Sequence, residues 1–383
     1  MYRFCLAALL LFMVCCTDKP SRTSDRNAFY YWLTDVSRFP WSDSTYKALN
    51  VSKLYLRFFD VDWSEQSKIP MPVSPINFYY AYNSFDTAVE IVPVVFITNE
   101  TFSHLNDEQS RALAHNVHKK VMNKLNGLFE HRARYDYTWW QQNPYNVKSK
   151  NFDEQTKRDS TYAANLQRIH EVQFDCDWTK TTKTQYFAFL DEAKKLFPAK
   201  LISSTIRLYQ YKYPAEAGIP PVKRGMLMCY NAGDIRSSKT TNSIFDKAEI
   251  MSYLEAKQYP IPLDYALPVF NWALLYQEGQ LKRILSTATL YEEYQRYLGP
   301  TDPGNHRAVV QEDFVYGDTD NGIYIRTGDE IRFEQPDLED VQEVAAWLSK
   351  QKNNEEAIVS LYHLNEHDLQ KHSEAIQAIF DIF

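Results

Sequence analysis

The run His170-Glu171-Val172-Gln173-Phe174-Asp175-Cys176-Asp177-Trp178-Thr179 alternates polar and apolar residues without a break. A strand sends successive side chains to opposite faces. One face is therefore Val172, Phe174, Cys176 and Trp178, and the other carries the carboxylates of Glu171, Asp175 and Asp177. The apolar residues are bulky enough to pack beneath a helix. The following stretch, Thr182 to Phe197, supplies one, with Phe187, Leu190, Ala193, Leu196 and Phe197 along one side. A strand followed by a helix, with acids at the strand's C-terminal end, is how parallel barrels assemble active sites. The bland alternative is a solvated edge strand whose polar face has no role.

The chain has 383 residues and no internal repeat. It is long for one core but within the range of a barrel with insertions. A net charge of −7 offers no basic field for nucleic acid. Aromatic residues make up 15% of the chain, a globular composition. Aromatics near charged strand ends suit the faces of sugars.

Residues 1–16 read as an export signal: Arg3 gives the positive start, and Leu6 to Val14 form an apolar run too short to span a bilayer. The run ends in Val14-Cys15-Cys16 before a polar stretch, which resembles a bacterial lipoprotein signal. The resemblance implies lipidation of Cys16, a polar tether over 17–27, and a place in the cell envelope, periplasmic or outer-surface. The alternatives are an ordinary secretory signal or a short N-terminal anchor. No later segment is apolar enough to cross a membrane, so membrane contact is expected through the N-terminal lipid only. Cys176 and Cys229 fall on outward faces of strands that are not neighbours, roughly 9–10 Å apart at two strand spacings. That is too far for a disulfide, and they read as packing thiols. The nine His residues are scattered, no zinc-ligand spacing occurs, and no cofactor is expected. The chain is expected to be a monomer.

In order, Phe29 to Thr34 reads as a first strand with Trp32 near its end. Ser42 to Leu49 reads as a short helix. Lys53 to Phe59 is a second strand with Tyr55 and Arg57 pointing inward, and Val89 to Ile97 is a third. Asn106 to Leu125 is a helix capped by Asn106. The stretch 128–168 breaks the repeat. It holds Tyr135, Tyr137, Trp139 and Trp140, then a charged helical run, and reads as an insertion with its own small core or as an aromatic sugar subsite. After the fourth strand and its helix come Leu201 to Tyr209, with Ser203, Thr205, Arg207 and Tyr209 on one parity, and Met226 to Asn231. Ser243 to Leu254 follows as a helix, and Tyr265 to Trp272 is the seventh strand. Hairpin signals interrupt over about 300–335: Phe314 and Tyr316, the turn Asp318-Thr319-Asp320-Asn321-Gly322, then Tyr324. Leu338 to Gln351 is a helix, and Ala357 to Tyr362 is the closing strand. The expected fold class is α/β, a single (β/α)8 barrel over 28–383 with an aromatic insertion before strand four and a hairpin insertion before strand eight.

On that parity the C-terminal mouth collects Asp175 and Asp177 as candidate catalytic groups. Arg57, Arg207, Tyr230 and Trp272 join them as candidate substrate-binding residues, with Trp32 and Asn231 at neighbouring strand ends. Two crowded carboxylates raise one another's pKa, whereas a neighbouring Arg holds both ionised. The sequence leaves that balance open. No metal is expected, because no further oxygen ligands stand at a recognisable spacing.

Phe174-Asp175-Cys176-Asp177-Trp178 resembles the fourth-strand motif of the chitinase-like glycoside hydrolases of family eighteen, Asp-Gly-Phe-Asp-Ile-Asp-Trp-Glu. Asp175 and Asp177 match its second and third acids. Met228-Cys229-Tyr230-Asn231 resembles the family's sixth-strand Met-x-Tyr-Asp, with Asn at the last place. The resemblance implies a barrel and a carbohydrate ligand. In that family the substrate's own acetamido group attacks, assisted by the acid that Asp177 matches, and a Glu protonates the leaving oxygen. Here Val172 stands for the first Asp and Thr179 for that Glu. Thr has no proton to donate at a useful pKa. From Trp32 to Leu361 the pattern also resembles a group of bacterial barrel lipoproteins whose fourth strand reads Gln-x-Asp-x-Asp, here Gln173, Asp175 and Asp177. That group brings no activity with it.

Three functions follow. The first is an exported, lipid-anchored glycoside hydrolase-like protein acting on or holding a carbohydrate at the mouth, with Glu100 or Glu312 as the missing acid. Asp175 and Asp177 would lie about 7 Å apart along a shared strand, which does not choose between retaining and inverting chemistry. The second is a glycan-binding module that has lost catalysis. The third is an envelope scaffold lipoprotein, which a large exposed apolar patch away from the mouth would favour.

Overall fold

The computed structural model describes residues 26–36, 39–40, 43–78, 89–142, 154–237, 239–255, 258–304, 306–317, 322–351 and 356–383. For 131–142, 154–158 and 161 only the backbone is described. The signal segment with Cys16, nearly all of the tether, the side chains of Tyr135, Tyr137, Trp139 and Trp140, and the turn at 318–321 lie outside the described residues.

Among the described residues eight parallel strands close into a barrel. They are β1 (Asn27–Tyr31), β2 (Lys53–Ser64), β3 (Glu90–Ile97), β4 (Glu171–Asp175), β5 (Leu201–Arg207), β6 (Arg224–Met228), β7 (Leu263–Pro268) and β8 (Val359–Tyr362). Each pairs with the next, and β1 pairs with both β2 and β8, which closes the ring. Among the described residues the barrel sheet keeps a free edge only where Ile69–Val73 folds back antiparallel on the overhanging end of β2. This is the expected (β/α)8 architecture.

The alternation around Asp175 builds the structure expected of it. Phe174 and Trp178 face outward onto the helix Lys183–Leu196. Phe174 meets Phe189 edge-on with ring centroids 4.9 Å apart, and Trp178 stacks on Tyr186 at 5.2 Å. The buried stripe is Tyr186, Phe189, Leu190 and Ala193, at helical spacing, with Phe187 and Leu196 only partly covered. The Tyr186 hydroxyl stays satisfied between the Phe174 carbonyl and Ser204 Oγ. Cys176 and Cys229 are buried free thiols.

Of the boundaries that differ from expectation, three bear on the site. The fourth strand ends at Asp175, so Asp177 sits on the loop above it and strand geometry does not set its separation from Asp175. The fifth ends at Arg207, where the chain turns into the short helix Leu208–Lys212; Tyr209 is therefore 51% exposed and not an inward strand residue. The seventh ends at Pro268, and Trp272 opens a separate antiparallel sheet. That sheet joins Trp272–Gln277, Gln280–Leu285, Arg307–Val309 and Glu330–Glu334. The expected hairpin, Phe314–Tyr316 on Ile323–Ile325, packs beside it on a core that includes Leu275, Leu285, Leu290, Phe314 and Ile331. In the four-stranded sheet the turn Glu278-Gly279, between Trp272–Gln277 and Gln280–Leu285, has φ of 53° and 72°, the left-handed pair that a tight hairpin demands. Before strand four, the helix from Asp107 runs on to Gln142, capped by the reciprocal Asn106–Gln109 bonds, and Glu154–Gln167 is the second helix of that region.

Candidate functional site at the barrel mouth

The mouth is built from the last inward residue of each strand. Asp175, at the end of β4, is only 5% exposed and accepts a 2.6 Å hydrogen bond from Thr205 Oγ1 on β5. Burial, and then the neighbouring Asp177 carboxylate, push its pKa up to about 7, against the opposing pull of Thr205 and Arg207. Asp177, on the loop above, is half-exposed and takes Arg207 Nη1 on both oxygens at 2.9 Å. For Asp175, burial and Asp177 win over Thr205 and Arg207 in the balance the sequence left open. Arg207 grips the outer acid, and burial governs the inner one. Arg207 is itself fixed, its N–H donating at 2.7 Å to Gln210 Oε1, while Gln210 Nε2 donates to the Trp178 carbonyl.

Arg57 reaches the mouth but is engaged by a residue that period-two reasoning missed. The β2–β3 register shifts between Arg57 and Phe59. This bulge puts Asp60 on the same inward face, where its oxygens accept from Arg57 Nε at 2.7 Å and from Nη2. Arg57 also lies over the Trp32 ring, 5.5 Å from its centroid, and donates to the Trp32 carbonyl. Asp62, one step further out, accepts from Thr98 Oγ1.

Opposite the acids runs an aromatic wall. Tyr362, the last residue of β8, stands at its centre with ring centroids 5.6 Å from Trp32, 5.1 Å from Tyr230 and 5.2 Å from Phe270. The parity of Ser360 and Tyr362 on the closing strand was the signal that could have found it. Tyr230 is buried, and its hydroxyl has no hydrogen-bond partner among the described residues. Burial, then Tyr362, Tyr30 and Asp175, hold that phenol well above its ordinary pKa, so it stays a donor aimed into a polar mouth. Asn231 follows in the left-handed region (φ 55°), a conformation Asn tolerates. Its N–H donates to the Ile244 carbonyl at 2.7 Å, and its Oδ1 is buried without a partner among the described residues.

Trp272 does not complete the wall as a strand-seven residue. Its indole N–H donates at 2.8 Å to Glu334 Oε2, and its ring meets Phe270 at 5.3 Å, where the insertion joins the barrel. Glu334 also accepts from Ser243, and it pairs at 2.6 Å with Arg332, both side chains fully buried. Arg332 donates to the carbonyls of Ser237, Thr240 and Ile235. Trp272 therefore belongs to the joint that fixes the insertion against the loop after β6.

The two suggested acids stand apart from this geometry. Glu100 lies on an exposed rim helix facing His104 at 4.0 Å, and Glu312 is exposed on the insertion. Thr179 is exposed, its hydroxyl shared with Thr181 and Thr182 in the turn that begins the helix after β4.

No family model matches the chain, and no curated protein does. Among solved structures, the spore cortex-lytic enzyme SleL of Bacillus cereus is similar at 12% identity and a TM-score of 0.46, covering 92% of this chain and 74% of that one. A fungal endo-beta-N-acetylglucosaminidase from glycosyl hydrolase family 18 is similar at 10% identity and a TM-score of 0.41, covering 94% and 98%. The C-terminal domain of ChiA from Legionella pneumophila is similar at 8% identity and a TM-score of 0.38, covering 92% and 96%. The barrel itself rests on the strand order and register described above.

Proposed function

We propose that this protein holds a carbohydrate chain at the C-terminal mouth of its barrel, as a glycoside hydrolase-like module that binds without cleaving. The observation that carries this reading is the pairing of an aromatic wall, Trp32 and Tyr362 backed by Tyr230 and Phe270, with the polar groups of Asp175, Asp177 and Arg207. Flat apolar faces opposite fixed donors and acceptors suit a pyranose, which is apolar on its ring faces and polar around its rim. Thr179, at the position of the proton-donating Glu in the motif the sequence resembles, has no dissociable proton to give. The cysteine at 16 belongs to the same reading, as a lipid anchor holding the barrel at the cell envelope. Mass spectrometry of the protein recovered from membranes, beside Cys16→Ala, tests that part.

Hydrolysis is the second reading, and one observation favours it: burial keeps Asp175 a protonated acid up to neutral pH, as a general acid requires. The scaffold reading has an apolar groove on its side. Trp63, Ile69, Leu105 and Leu113 are among the residues lining a cavity of about 400 Å³ between Ile69–Val73 and the long helix. Pro70 and Pro72, however, remove N–H donors from that edge, as edges guarded against strand addition do.

A glycan array paired with a reducing-end release assay, run on the protein and its Asp175→Asn/Asp177→Asn variant, separates the readings. Retention without release, lost in the variant, is the expected result. Release that disappears in the variant makes the protein a hydrolase. Neither retention nor release removes the carbohydrate reading.

A further inference from the structure

We infer that Tyr209 and Tyr213 form an outer sugar-stacking subsite, continuous with the mouth, that binds the units of a glycan chain beyond those held by Asp177 and Arg207. The inference rests on the carbohydrate reading above and extends it to a ligand several units long. Tyr209 and Tyr213 are spaced i, i+4 across the end of the short helix Leu208–Lys212, with ring centroids 5.0 Å apart. They are 51% and 40% exposed, whereas their neighbours Leu208, Gln210 and Tyr211 are buried. The segment therefore spends its apolar anchors inward and leaves two large rings in solvent.

Their position ties them to the mouth. Tyr209 stands two residues beyond Arg207, whose guanidinium holds Asp177. The stretch 208–217 is fastened to the loop that carries Asp177 by Gln210 Nε2 to the Trp178 carbonyl and Trp178 Nε1 to the Ala217 carbonyl, and to the helix after that loop by Lys183 Nζ to the Glu216 carbonyl, each at 2.9 Å. The rings are set as well. The Tyr209 hydroxyl donates to Glu216 Oε2 at 3.2 Å, and Lys212 Nζ bridges Tyr213 and Tyr253, 5.7 and 4.9 Å from their centroids. A platform held this way loses little freedom when a sugar ring lands on it. The adjoining Glu216 carboxylate can accept from sugar hydroxyls.

The test is calorimetric titration with β-1,4-linked N-acetylglucosamine and glucose oligomers of one to six units. The expected result is a wild-type affinity that rises with chain length. Tyr209→Ala/Tyr213→Ala should lower affinity for the longest oligomers by about five- to tenfold and leave the shortest unchanged. Tyr209→Phe/Tyr213→Phe, which keeps both rings, should stay within about twofold of wild type. An alanine variant with the wild-type length dependence overturns the subsite and leaves the mouth reading standing. A wild-type protein that binds no oligomer here and no glycan on the array overturns both.

Discussion

Glu171 and Asp175 leave the same face of β4 four residues apart, yet they belong to two ends of the barrel that treat charge in opposite ways. At the N-terminal end Glu171 is 2% exposed and takes Lys53 Nζ at 2.9 Å, with Glu90 3.6 Å from the same ammonium. Beside it Arg224 pairs with Asp264 at 2.8 Å. Each buried acid there faces a cation from another strand, and the ions close the barrel floor. At the mouth the nearest charge raising the pKa of Asp175 is another acid, and the one cation between the two is spent on Asp177. The floor sets each of its three acids against one of two cations, Lys53 or Arg224, whereas at the mouth the buried Asp175 has no ion-pair partner of its own among the described residues. This is the division expected of a parallel barrel, stability below and ligand above.

The comparison can be broken most severely at the floor. Lys53→Met leaves Glu171 and Glu90 without their ammonium and should cost about 3–5 kcal/mol in urea unfolding. A loss under about 1 kcal/mol would mean the floor does not depend on that pair.

The second effect sharpens the mouth. Asp175 is harder to ionise in the fold than in the unfolded chain, so its contribution is intact below about pH 4 and is lost as pH rises through about 7. Asp175→Asn removes that dependence, and from pH 5 to pH 8 the variant should gain about 2–3 kcal/mol relative to wild type. Parallel stability profiles for the two proteins would contradict the assignment.

A smaller effect separates the joint from the mouth. Trp272→Phe keeps an aromatic ring but loses the bond to Glu334, and should cost about 1.5–2 kcal/mol of stability without changing glycan affinity. A loss of affinity at unchanged stability would return Trp272 to the binding wall.

The strands were legible because β4 alternates cleanly and short strand-like runs such as Glu90–Ile97 recur between helical stretches, as a (β/α)8 barrel requires. The site was legible where that parity ran on unbroken, at Asp175, Arg207 and Tyr230. It failed at local irregularities. A bulge after Arg57 turned Asp60 inward, which counting by two cannot foresee. The backbone left the strand at Arg207, which sent Tyr209 outward although its parity pointed in. The insertion was misplaced because its first turn is Glu-Gly, a weaker hairpin signal than Asn-Gly, so Trp272 read as the end of a barrel strand. Asp177 lies on the loop above β4 and not on the strand that alternation extends to it, and its hold by Arg207 is a contact between neighbouring strand ends that no single stretch of sequence encodes.

The most direct test of the two-ended account is to titrate a β-1,4-linked N-acetylglucosamine hexamer, or a glycan the array retains, into wild type, Asp177→Asn and Lys53→Met at a temperature where all three are folded. The account predicts that Asp177→Asn, altered at a half-exposed position, melts close to wild type and loses about tenfold or more in affinity. Lys53→Met should melt lower and bind as wild type does. Full affinity in Asp177→Asn, or lost affinity in a folded Lys53→Met, would contradict it.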